Sequence, residues 1–132
     1  MKSALKILAC LFVLSSPAAA SAAGNGCRFQ GAFTENSIRT VVNYCAANQG
    51  MGAGEFAAHC EDLRSSQFDG IRLEPGKGKG MTSVAACPPG PKAVCSGVFG
   101  VKMSLQYMAD DSSLKGGSAK LLCDTSEGRW RQ

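Results

Sequence analysis

Three side chains near the middle of the chain have the right types for chemistry. Glu55, His59 and Asp62 stand at i, i+4 and i+7, a spacing that projects all three from one face of a helix. Two carboxylates beside an imidazole can hold a divalent cation or orient the histidine as a general base. The same spacing also describes the solvated side of an amphipathic helix whose other face carries Phe56, Cys60 and Leu63, and this plainer reading is preferred. His59 is the single histidine of the chain, and three ligands on one exposed helix leave a metal site open. A Ser-His-Asp arrangement would need that same histidine, and no Gly-x-Ser-x-Gly elbow occurs. Ten acidic residues offer carboxylate pairs for glycoside cleavage only if the fold brings two of them together. The expectation is a protein that is not an enzyme, with no catalytic residue, metal or cofactor.

A second pattern, Gly76-Lys77-Gly78-Lys79-Gly80, suggests a phosphate cradle. It departs from the P-loop, because no glycine stands five residues before Gly76 and no Ser or Thr follows either lysine. A flexible, lysine-bearing loop is the expectation, with Arg72, Lys77 and Lys79 as candidate binding residues for a protein or acidic polymer. The net charge of +4 includes Lys2 and Lys6; subtracting these two leaves +2. So small a charge argues against nucleic acid as partner.

The cysteines are the third chemical feature, and their number depends on the N-terminus. Lys2 and Lys6 precede an apolar run over 7–14, then Pro17 and Ala20-Ser21-Ala22. That order is a secretory signal peptide, with cleavage expected after Ala22. The run is well short of the roughly 20 residues that span a bilayer, so a soluble periplasmic or secreted product without membrane insertion is expected. Cys10 follows a poor lipobox, and Cys27 lies too far beyond the apolar run for lipid attachment. Removing 1–22 takes Cys10 from the seven cysteines and leaves six: Cys27, Cys45, Cys60, Cys87, Cys95 and Cys123. An even set in an exported chain implies three disulfides, and the absence of a Cys-x-x-Cys pair disfavours zinc. Fifteen pairings remain open.

The elements that must carry these residues follow from periodicity. Residues 23–32 read as an extended lead-in. Over 34–48, Ile38, Val41, Val42 and Cys45 recur at helical spacing, predicting a helix ended by Gly50 and Gly52. A second helix over 54–64 would complete a helical hairpin. The 68–80 segment is a loop, and Cys87-Pro88-Pro89-Gly90-Pro91 a rigid connector. Alternation of Cys95, Gly97, Phe99, Val101, Met103, Leu105 and Tyr107 predicts two strands broken near Gly100. Asp110-Asp111-Ser112-Ser113 reads as a turn, Ser118 as the cap of a short helix through Cys123, and Trp130 as a plug on the sheet.

Cys87-Pro88, Cys95, Tyr107 and the run from Cys123 to Trp130 resemble a group of short exported bacterial proteins ending in Cys-x-x-x-Gly-Gly-x-Trp. Glu127 replaces the first of those glycines. The group carries no established activity, so the resemblance implies a fold and a compartment. The expectation is one α+β domain over 23–132, with a helical hairpin, a short antiparallel sheet and a C-terminal helix. Its expected role is non-enzymatic, binding or structural, with an inhibitor or immunity-type protein as the alternative.

Overall fold

Gly26–Glu35 (β1) and Ile38–Asn48 (β2) form a long antiparallel hairpin. Asn36 (φ 50°) and Ser37 (φ 65°) make its two-residue turn, the paired left-handed conformation that matches strand twist. The computed structural model describes residues 24–132; the expected signal segment, its expected cleavage point and Cys10 lie outside the described residues. The hairpin corrects the sequence reading, since the helix expected over 34–48 is strand apart from its two-residue turn, and the extended lead-in is paired strand from Gly26 onward. Ile38, Val41, Val42 and Cys45 do share helical spacing, but β2 also holds Thr40 and Tyr44, and β-branched and aromatic residues suit a pleated surface. Val42, Tyr44 and Ala46 face the core, while Cys45 is buried on the opposite face. A strand covered on both sides loses the clean alternation that would have marked it.

Ala53–Phe68 (α1) is the helix expected over 54–64, four residues longer at its C-terminal end. Asn48 organises the turn into it: its side-chain amide donates to the Met51 carbonyl and its oxygen accepts from the Gly50 and Met51 N–H groups. The chain then forms Gly80–Val84 (β3), Ala93–Ser96 (β4), a 3₁₀ turn over Val98–Gly100, and Met103–Tyr107 (β5). The strand pair over 94–108, broken near Gly100, matches the expectation. Ser112–Lys115 (α2), Ser118–Thr125 (α3) and Arg129–Arg131 (β6) finish the fold. The sheet is antiparallel with order β3-β1-β2-β5-β4-β6. The domain is thus a small mixed α/β fold, but α1 pairs with no second helix in a hairpin.

Two local expectations at the C-terminus also change. The turn expected over 110–113 covers only its first part: Asp110 is in a turn, and Asp111 is already the N-cap of α2, accepting from the Ser113 N–H (2.9 Å). Ser118 does not cap α3; Gly117 holds that position in a left-handed conformation with no side-chain cap. Trp130 is strand, half-buried against the core as β6.

The helices cover one face of the sheet. On that face an aromatic row runs Phe68, Phe29, Tyr44, Tyr107 and Trp130, with successive ring centroids 6.5, 4.6, 5.5 and 5.8 Å apart. Phe56, Cys60, Met103, Leu105, Ala119 and Cys123 complete the core. The connector from β3 to β4 must cross the other, outer face, because the two strands lie four positions apart in the sheet. Three disulfides fix these layers: Cys27–Cys60 ties β1 to α1, Cys45–Cys87 pins the connector to the outer face of β2, and Cys95–Cys123 ties β4 to α3.

The last bridge also accounts for two backbone demands at the C-terminus. A Cβ at Gly128 would lie 2.4 Å from Cys95 Sγ and 2.7 Å from Cys123 Sγ, so no larger residue fits there. Glu127, immediately before it, sits at φ 64°, a left-handed conformation that favours glycine. Both positions thus have a physical reason to be glycine, and this chain meets only one. Glu127→Gly is expected to stabilise the domain by about 0.5–1 kcal/mol, read as a higher Tm. A lower Tm would mean that the carboxylate contributes more than the backbone strain costs.

Candidate functional site

The candidate binding loop is anchored at its base and presented at its tip. Leu73 packs where a Cβ on Gly31 would be, 2.7 Å from its methyl, and the Glu74 N–H donates to the Ala32 carbonyl (2.7 Å). Arg39 on β2 grips Glu74 with two hydrogen bonds, Nε to Oε1 at 2.9 Å and Nη2 to Oε2 at 3.0 Å. The pairing holds the Glu74 carboxyl below the usual carboxylate range. Beyond this anchor, Arg72, Lys77 and Lys79 are exposed and make no ion pair among the described residues.

The structure brings one of the three to a cavity. Lys77 lines a depression of about 290 Å³ on the outer face with Gln30, Arg39, Asn43 and Asp110. Arg39 is matched by Glu74 and Asp110 accepts from the Asn43 amide (2.8 Å), while Lys77 and Asp110 each make no ion pair among the described residues. Arg72 and Lys79 flank the depression in sequence without lining it. Strand register places Arg28, Arg129 and Arg131 on the same outer face, since each pairs across to residues of the Cys45 side. The Arg28 Nε is buried without a hydrogen-bond partner. Arg129 and Lys102 line a second outer depression with Gln49 and Ser96. Sequence reading passed over these strand arginines because their facing depends on register.

The helix side carries the other set of candidates. Between α1 and α3 a cavity of about 230 Å³ has Tyr44, Leu105 and Tyr107 as floor and Leu63 and Leu122 as walls. Burial, together with the neighbouring Asp111, pushes both phenols well above the ordinary tyrosine range, so both stay protonated at neutral pH. Asp111 closes one end, its carboxylate accepting from the Asn43 N–H (2.7 Å), the Ser113 N–H and the Ser113 hydroxyl. These three bonds tie β2 to the start of α2.

A second depression, of about 280 Å³, lies along α1 between His59, Asp62, Leu63, Ser66 and Phe99. Of the helical trio, His59 and Asp62 reach this depression, and Glu55 stays exposed outside it. Among the described residues no three His, Cys, Asp or Glu side chains converge as a metal site. Phe99 shares the parity of Cys95 and Leu105, which predicts a strand residue, but it lies in the 3₁₀ turn and is 41 % exposed. Glycines on both sides of Val98-Phe99, at 97 and 100, were the one signal that this stretch turns.

No helix among the described residues is long and apolar enough to cross a membrane. The three disulfides are consistent with an oxidising, exported environment. Comparison with family models, curated proteins and solved structures gives no match to this chain.

Proposed function

We propose that the mature domain is a non-enzymatic exported binding protein, periplasmic or secreted, that takes an acidic protein or polymer on its loop and outer sheet face. The observation that carries this reading is Lys77, an exposed cation with no ion pair among the described residues, lining a polar depression in which Arg39 is already held by Glu74. Lys79 and Arg72 extend the positive surface along the loop, and Arg28, Arg129 and Arg131 extend it across the sheet. The glycines at 76, 78 and 80, all at positive φ, let the loop backbone approach a partner closely. The anchor through Leu73 and Glu74 limits the ordering cost of binding.

Retention on heparin-agarose tests the proposal, because the domain's net charge is too small for general ion exchange to hold it strongly. The mature protein is expected to bind at low salt and to elute as screening shortens to about 8 Å near physiological ionic strength. Lys77→Glu with Lys79→Glu should elute much earlier at unchanged Tm. Flow-through of the parent protein, or identical elution of the double variant, would defeat the reading.

One observation favours the inhibitor alternative. The β1–β2 hairpin runs past its neighbours, and Ile38, the first residue after its turn, is 68 % exposed. A preorganised apolar tip on a crosslinked scaffold suits insertion into an enzyme cleft. Inhibition of a hydrolase exported by the same cell, lost in Ile38→Glu and kept in the double lysine variant, would favour that role over capture of an acidic partner.

A further inference from the structure

We propose that the groove between α1 and α3 is a docking site for a partner-protein segment that presents an apolar side chain beside Lys or Arg, with Phe99 as its anchor. The backbone of Phe99 is the first ground. It lies at φ 59°, ψ 19°, a left-handed conformation that is an outlier for a bulky residue. Such positions cost on the order of 1–3 kcal/mol and persist where surrounding structure enforces them. Here the enforcing frame is Gly97 (φ 69°) and Gly100 (φ 70°), with the Gly97 N–H held by the Met103 carbonyl (3.0 Å). The result of that strain is an aromatic ring turned outward, 41 % exposed, where strand geometry would have buried it.

The shape of the surface is the second ground. The depression beside Phe99 and the cavity over Tyr44 and Tyr107 meet at Leu63, which lines both. Leu122, 42 % exposed, forms part of the far wall. Two neighbouring depressions thus share Leu63 as a wall, one beside Phe99 and one over the aromatic floor.

Charge selects the occupant. Cations on α1 and α3 are already matched, Arg64 by Glu61 and Asp69 and Lys120 by Asp124, and Lys115 on α2 lines neither depression. Asp62 lines the groove, and Glu55 lies two turns before it on the same helix face; neither has an ion-pair partner among the described residues. An apolar slot with an unmatched acidic rim complements a cationic, apolar segment and repels an acidic one. The helix side thus selects against the partners proposed for the outer face.

NMR titration of the mature protein with a short peptide alternating leucine and lysine tests this. Amide shifts are expected to concentrate at His59, Leu63, Ser66 and Phe99, and to be absent with the leucine–glutamate counterpart. Phe99→Gly separates a docking role from a structural one, because glycine relieves the left-handed strain while removing the ring. It should weaken peptide binding at least about tenfold, the scale of an aromatic anchor, without lowering Tm. Asp62→Lys should weaken binding with the ring in place. Unchanged affinity in Phe99→Gly, or a marked drop in its Tm, would make Phe99 a packing residue and overturn the proposal. Equal shifts with the glutamate peptide would overturn it as well. So would a dimer in sedimentation that Phe99→Gly dissolves, because the occupant would then be a second copy.

Discussion

Reduction is expected to unfold the oxidised domain, or to lower its Tm far more than any surface substitution. The bridges join residues 33, 42 and 28 apart. In the chain-entropy model each such loop restricts the unfolded state by about 4 kcal/mol, whereas a whole domain is stable by only about 5–15 kcal/mol. The core offers little in reserve, since α1 buries only Phe56, Cys60 and Phe68, and α3 only Ala119 and Cys123. Each helix therefore meets the sheet through one cysteine and a few small or aromatic neighbours. Circular dichroism melts with and without reductant measure the effect, and equal Tm values would show that packing alone holds the layers together.

Asp111→Ala is expected to cost about 3 kcal/mol in denaturant unfolding, a large share of the domain's stability. β2 is longer than its neighbour β5, which pairs only with Tyr44–Asn48. The N–H groups of Val41 and Asn43 are left facing a strand that is not there. Side chains replace it: Ser112 Oγ accepts from Val41 (2.7 Å) and Asp111 Oδ2 from Asn43 (2.7 Å). Asp111 also caps α2, so alanine would orphan a strand donor and a helix end together, in a site only 4 % exposed. Hydrogen bonds to charged groups contribute about 1.5–3 kcal/mol each, and an N-cap about 1. Asp111→Asn should retain part of this, and Ser112→Ala should lose about 1 kcal/mol. A loss below about 1 kcal/mol for Asp111→Ala would mean that water replaces the carboxylate at that edge.

Some of this molecule was legible without coordinates. Oxidised cysteines followed from their even count after the expected export segment. Helix α1 followed from Phe56, Cys60 and Leu63, and strands β4 and β5 from the parity of Cys95, Leu105 and Tyr107. These are local signals: a face repeats at a fixed period, and a short window contains it. What required the tertiary structure was nonlocal. Cys27 finds Cys60, and Cys45 finds Cys87, because β1 lies under α1 while the connector crosses the outer face, and no spacing along the chain encodes that crossing. β2 passed for a helix because Cys45 on one side and Val42 on the other are both covered, which erased the period of two. Lys77 reaches a cavity only because Arg39 and Leu73 seat the loop against β1. Phe99 shared the parity of buried residues, yet the turn set by Gly97 and Gly100 reverses its direction, since a single left-handed residue changes where every atom after it points.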